Sequence, residues 1–282
     1  MFRSFSLALV SATVGLVGCS GDDKTDATPT VVVTYSALES LLEGIVGEAA
    51  RVEVIVPNGT DPHNFSPSAK VVEALSSAAL IVANGLDFEE GLEDAIKQAG
   101  KSGVPVFRLA DHVELRDGDP HVWLDPATIA EAVPSLTQQL TSALGEDLQG
   151  RGSAVGESLT NLDEKIMTTI NALESCVLIT GHDSLGYFGA RYGCEVLGSV
   201  VPNFSTAAEA TAKNLSELKA LAESEGVKAI FTELGTPADV AERLADELGV
   251  DVVEIATHLV PDGGGYDEMM LALVDAIVSG LS

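Results

Sequence analysis

The chain has 282 residues, and 43 acidic side chains against 15 lysines and arginines give it a formal net charge of −28. That balance leaves no basic face for phosphate, so nucleic acid is excluded as a partner, and anionic headgroups repel it. Contact with a membrane therefore has to come through a lipid.

Taken in order, the chain opens on an export signal. Met1-Phe2-Arg3 is a short basic region, residues 5–17 are apolar, and Leu16-Val17-Gly18-Cys19 is a small-residue cleavage site ending in cysteine. The pattern resembles a bacterial lipobox, in which the cysteine is lipidated, so residues 1–18 are expected to be removed and Cys19 to carry the anchor. What remains has 14 basic and 43 acidic residues, a charge of −29. Residues 19–30 are polar and proline-bearing, a flexible tether.

Residues 31–145 then alternate strand and helix. Val31-Val32-Val33-Thr34-Tyr35 is a β-branched run followed by a helical pattern over 36–47; a second strand covers 51–56. Helix 68–77, strand 79–83, helix 88–99 and strand 104–109 follow, and Pro126 starts a helix running to 144. From 152 to 173, Leu159, Leu162, Ile166, Ile170 and Leu173 keep a spacing of three and four, which predicts one long helix. It falls within 146–174, between two α/β lobes. Residues 175–282 repeat the alternation, with strands at 176–180, 195–200, 227–232 and 250–255, helices at 185–192, 207–224 and 237–248, and a closing helix at 266–282. The fold class is α/β, two similar lobes of mainly parallel sheet joined by one long helix. Beyond Cys19, Cys176 and Cys194 begin two strands that flank one short helix; in an exported protein they are expected to form a disulfide.

Two local frames carry the chemistry. Asp61-Pro62-His63-Asn64-Phe65-Ser66-Pro67 and Asp119-Pro120-His121-Val122-Trp123-Leu124-Asp125-Pro126 share an Asp-Pro-His core, and proline stiffens the backbone that presents each imidazole. His182 and His258 follow strands of the second half. Four of the five histidines thus sit at strand ends, where open α/β sheets bind ligands. The fifth, His112, is expected to face solvent.

These stretches, with Gly181-His182-Asp183-Ser184-Leu185-Gly186-Tyr187-Phe188 and Arg191-Tyr192-Gly193, resemble the substrate-binding lipoproteins of bacterial ABC importers for zinc and manganese. The resemblance covers the whole mature chain. It implies that His63, His121 and His182 bind a metal between the lobes, and that a cognate ABC permease is the partner of a lipid-anchored, monomeric protein. Manganese-type members tend to carry glutamate at the third position, so His182 points to zinc. Two departures stand out. The histidine-rich loop of many zinc-type members shrinks here to residues 111–118. At the position where the family usually has an aspartate as fourth ligand, just after the last strand, this chain has His258.

Imidazole suits zinc, whereas manganese prefers oxygen donors, and four histidines would complete a closed tetrahedron. Carboxylates are expected behind the rings: Glu233 first, then Asp125 and Asp183. The rival reading is an exported zinc hydrolase with three histidines, an open position and Glu233 as general base. Against it, the chain has no His-Glu-X-X-His.

Overall fold

The computed structural model describes residues 28–233 and 238–282. The export segment, Cys19 and most of the tether lie outside the described residues.

The first lobe runs β1 (Thr30–Tyr35), α1 (Glu39–Val46), β2 (Arg51–Val56), α2 (Ala69–Ser77), β3 (Leu80–Ala83), α3 (Glu93–Lys101), β4 (Val106–Arg108) and α4 (Pro126–Leu144). Helix α5 (Gln149–Ile170) follows. The second lobe runs β5 (Val177–His182), α6 (Gly186–Tyr192), β6 (Glu195–Val201), α7 (Ala212–Glu225), β7 (Ala229–Glu233), α8 (Asp239–Leu248), β8 (Asp251–Ile255) and α9 (Tyr266–Leu281). Each lobe is a four-stranded parallel sheet, and the strand orders, β2-β1-β3-β4 and β6-β5-β7-β8, are the same. Val31, Val32 and Val33 are fully buried because a parallel strand with helices on both sides has no solvent face.

Two turn signals set the frame. Asp125 caps α4, its carboxylate accepting from the Ala127 N–H at 2.9 Å, with Pro126 at the first helical position. Gly145, in the left-handed region, ends α4 and turns the chain into α5. The 22 residues of α5 make a rod of about 33 Å. It lies close along α4: a Cβ on Gly152 would sit 2.2 Å from Thr137 Oγ1.

Three elements differ from the sequence expectation. Helix α3 begins at Glu93, not at 88, because residues 90–92 form a separate 3-10 turn. Helix α7 begins at Ala212, capped by Thr211, whose hydroxyl accepts from the Asn214 N–H; residues 203–210 form turns that the helical pattern concealed. Helix α9 does not simply close the second lobe. It also packs on α5 and α1, and its Tyr266 N–H donates to Ser40 Oγ at 2.9 Å. One apolar core therefore runs from the first sheet through α4, α5 and α9 to the inner side of the second sheet; a smaller cluster around Ile179, Ile230 and Leu244 fills the outer side. Among the described residues, no helix is long and apolar enough to cross a membrane.

Candidate metal centre

Both Asp-Pro-His frames fold into the same device. After β2, Asp61 Oδ1 accepts the His63 N–H at 3.0 Å across Pro62, starting a single 3-10 turn. After β4, Asp119 Oδ1 accepts the His121 N–H at 2.9 Å across Pro120. The aspartate closes a local turn over the proline, and the histidine leaves it at a fixed angle. His182 is the last residue of β5, and His258 lies three residues beyond β8.

The structure brings His63, His121 and His182 together: one nitrogen from each lies within 4.8 Å of the other two, and all three residues are buried. Nε2 of His121 and Nε2 of His182 are 3.1 Å apart. Two nitrogens bound to one tetrahedral zinc at about 2.0–2.1 Å are separated by roughly 3.3 Å. Phe88 and Trp123 wall the cluster, with ring centroids 5.0 Å from His63 and 5.2 Å from His121 respectively.

Carboxylates back two of the rings. Asp119 Oδ1 lies 2.7 Å from His121 Nδ1. With Nδ1–H donated to that carboxylate, the Nε2 lone pair turns inward; the tautomer follows from this partner. Glu233 Oε1 lies 3.1 Å from His182 Nδ1, outside hydrogen-bond alignment, and accepts from Ser184 Oγ at 2.7 Å. Two glycines make room for these acids: a Cβ on Gly181 would sit 2.5 Å from Glu233 Oε2, and one on Gly186 2.5 Å from Asp119 Oδ2.

The electrostatics separate the three rings. Burial, joined by the charges of His121 and His182, pushes His63 down to about 3, and neither of its nitrogens has a hydrogen-bond partner. Burial also holds His121 well below the ordinary histidine range. Burial pulls His182 down as well, but the Glu233 charge and contact outweigh it and leave the ring raised. Of the three rings His182 is therefore the one most readily protonated as pH falls. Burial raises the Asp119 carboxyl to about 7, against the opposing pull of the His121 N–H. Such a set fits a dication: buried imidazole nitrogens aimed at one point, with negative charge behind them.

The remaining sequence-predicted residues fall as follows. His258 is buried, its Nε2 has no partner and its Nδ1 lies 3.2 Å from Thr257 Oγ1, but its nitrogens stand outside the 4.8 Å group. Asp125 is not behind a ring. Its two oxygens are taken by the Ala127 N–H and the Thr128 hydroxyl, so it is a helix cap. Asp183 makes no side-chain hydrogen bond to a histidine among the described residues; it raises His182 only through its charge. His112 is exposed and stacks on Phe107 at 4.3 Å. Asp119 was missed by sequence reasoning, although it stands two residues before His121 as Asp61 stands before His63. The sulfurs of Cys176 and Cys194 are bonded, with Cα atoms 4.6 Å apart.

Contacts across the cleft hold the site shut. Thr206 of the second lobe donates to Asp61 Oδ2 at 2.5 Å, and Asn58 of the first exchanges two hydrogen bonds with the Val260 backbone, at 2.7 and 2.8 Å. Trp123 donates its indole N–H to Thr257 O at 2.6 Å, and Tyr266 donates its hydroxyl to Trp123 O at 2.6 Å.

A two-lobed parallel α/β protein with a buried imidazole cluster between its lobes is the architecture of a binding protein for a small cation. Residues 31–280 match the family model described as zinc-uptake complex component A, periplasmic, and the chain belongs to that family. It is 30% identical to the zinc-binding protein TroA of Treponema pallidum (strain Nichols), over 93% of this chain and 92% of that protein. It is 27% identical to the manganese-binding lipoprotein MntA of Halalkalibacterium halodurans, over 99% of this chain and 98% of that one. Among solved structures, the periplasmic zinc-binding protein TroA from Treponema pallidum superposes with a TM-score of 0.82 at 28% identity, covering 90% of this chain and 99% of that chain.

Proposed function

We propose that this chain is a lipid-anchored substrate-binding protein of the cell envelope. It captures a divalent transition metal between its lobes and delivers it to an ABC permease in the cytoplasmic membrane for import. The observation that carries this reading is the convergence of three buried imidazoles, from His63, His121 and His182, within 4.8 Å of one another.

Zinc is the cargo we assign, with manganese second, because an all-nitrogen donor set suits zinc. Relatives named for zinc and for manganese agree on a metal cargo and divide on its identity. In this reading His258 is the fourth ligand, its buried and unpartnered Nε2 recruited when the ion binds. Asp119 and Glu233 orient the rings and offset the charge. Cys19 carries the lipid, residues 19–30 the tether, and α5 the connection between lobes 31–145 and 175–282. A carrier is favoured over a hydrolase by the place of Glu233, whose Oε1 lies behind the His182 ring at Nδ1 and not on the Nε2 side where a metal-bound water would sit.

The test is a titration of metal-free protein with zinc and with manganese against a competing chelator, beside a panel of ester, amide and phosphate substrates on the zinc-loaded form. One zinc per chain, bound more tightly than manganese and without turnover, is expected. Saturating zinc at 1,000-fold excess over Kd should also stabilise the fold by about 4 kcal/mol. Absence of saturable zinc binding would overturn the assignment, and hydrolytic turnover would replace it with the rival reading.

A further inference from the structure

A cavity of about 360 Å³ opens at the carboxyl ends of β5 and β7 in the second lobe. The chain order of strands reverses between β5 and β7, and that crevice is where open parallel sheets take their ligands. The matching crevice of the first lobe, between β1 and β3, is filled. Tyr35, Phe88 and Trp123 lie there with ring centroids within 5.0 Å of one another. Among the described residues, no aromatic side chain other than the His182 imidazole lines the cavity in the second lobe.

Val200, Ala208, Ala210 and Val240 make its walls apolar. Thr232, 2% exposed, also lines it, and among the described residues the Thr232 hydroxyl has no hydrogen-bond partner. A buried hydroxyl without a partner is uncommon in a folded protein and marks a place where something else completes the bond. The ionisable groups lining the cavity are Glu209, exposed at its rim, Glu233, and the His182 imidazole that Glu233 faces; among the described residues no lysine or arginine lines it. His182 touches its edge, so the cavity adjoins the metal centre without including His63, His121 or His258.

We propose that this cavity binds a small primary amine with a compact apolar body. The body lies against the valine and alanine walls, an ammonium hydrogen is donated to Thr232 Oγ1, and the charge faces Glu209. Size and wall chemistry select the body. The sign of the lining charge rejects a carboxylate of the same shape.

The probes are cyclohexylamine, cyclohexanol and cyclohexanecarboxylate, titrated into the full chain with and without zinc while the methyl resonances of Val200, Ala208 and Val240 are followed. Cyclohexylamine should shift these methyls saturably and bind roughly tenfold or more tightly than the carboxylate, a difference of about 1.4 kcal/mol. Val240→Phe, which fills the cavity, and Thr232→Val, which keeps the shape and removes the hydroxyl, should each weaken amine binding by a similar factor. The proposal is overturned by no saturable shift with the amine, by carboxylate binding as tight as the amine's, or by unchanged amine binding in Val240→Phe. Because the zinc-free arm stands alone, failure of zinc binding and failure of amine binding are separate results.

Discussion

Asp119 Oδ1 holds His121 twice, accepting its backbone N–H at 2.9 Å and lying 2.7 Å from its ring Nδ1. One oxygen therefore sets both where the residue sits and which ring nitrogen faces the cluster. Asp119→Ala should weaken zinc binding 10–100-fold, the range seen when a partner behind a metal-bound histidine is lost. Asp119→Asn keeps an acceptor without the charge and should recover part of that loss. Calorimetric titration of both variants measures it; an unchanged Kd in Asp119→Ala would refute the positioning role.

His258→Ala tests the fourth ligand. With His63, His121 and His182 intact, zinc should still bind, but more weakly, and one position should open to water. His258→Asp replaces nitrogen with oxygen and should shift relative preference towards manganese. Competition between the two ions reads the shift. A zinc-loaded structure with the His258 ring away from the metal would remove it from the ligand set.

Proton release follows from the unequal rings. His182 is raised by Glu233 whereas His63 is held at about 3, so as pH falls His182 takes up a proton first and zinc must displace it. Zinc affinity should fall as pH drops below 7, with protons released on binding. Titration in buffers of different ionisation enthalpy counts them, and a count of zero would contradict the assignment. The stability of the metal-free fold responds to His63 in a defined direction. Between about 3 and 6.5 the unfolded chain takes up its proton and the folded one does not, so this contribution is lost as pH falls through that window. His63→Leu should flatten that fall in a melting-temperature profile.

The Cys176–Cys194 bond closes a separation of 18 residues at the base of β5 and β6. Its loss should cost about 3 kcal/mol on the loop-entropy argument. The paired Cys176→Ser, Cys194→Ser variant, compared with wild type by denaturant unfolding, measures this. Zinc affinity should change little, because the bond lies at the strand starts and the cluster at their ends. A loss of zinc binding in a folded double variant would count against that separation.

Much of this was legible in the sequence because it is local. The prolines of the two Asp-Pro-His frames and the β-branched runs before them announce rigid loops at strand ends, and the spacing of Leu159, Leu162, Ile166 and Ile170 announces α5. Glu233 was legible for the same reason, as the residue that ends β7. Asp119 was also within reach, since an aspartate two residues before each histidine is an Asx-turn signature. Asp125 misled because an aspartate before proline reads equally as a cap and as an acid beside the site, and only its hydrogen bonds to Ala127 and Thr128 decide. The role of α9 was not legible. Its apolar stripe shows that it is buried, but contact with α1 and α5 is a long-range fact that no periodicity encodes.

Trp123 is the only tryptophan in the chain, and its ring stands 5.2 Å from His121 while its N–H reaches across to Thr257. All indole emission therefore originates at the seam between the lobes, one ring away from the imidazoles. The protein carries its own optical probe: a shift in fluorescence reports on this single place, free of background from other indoles, and needs no attached dye.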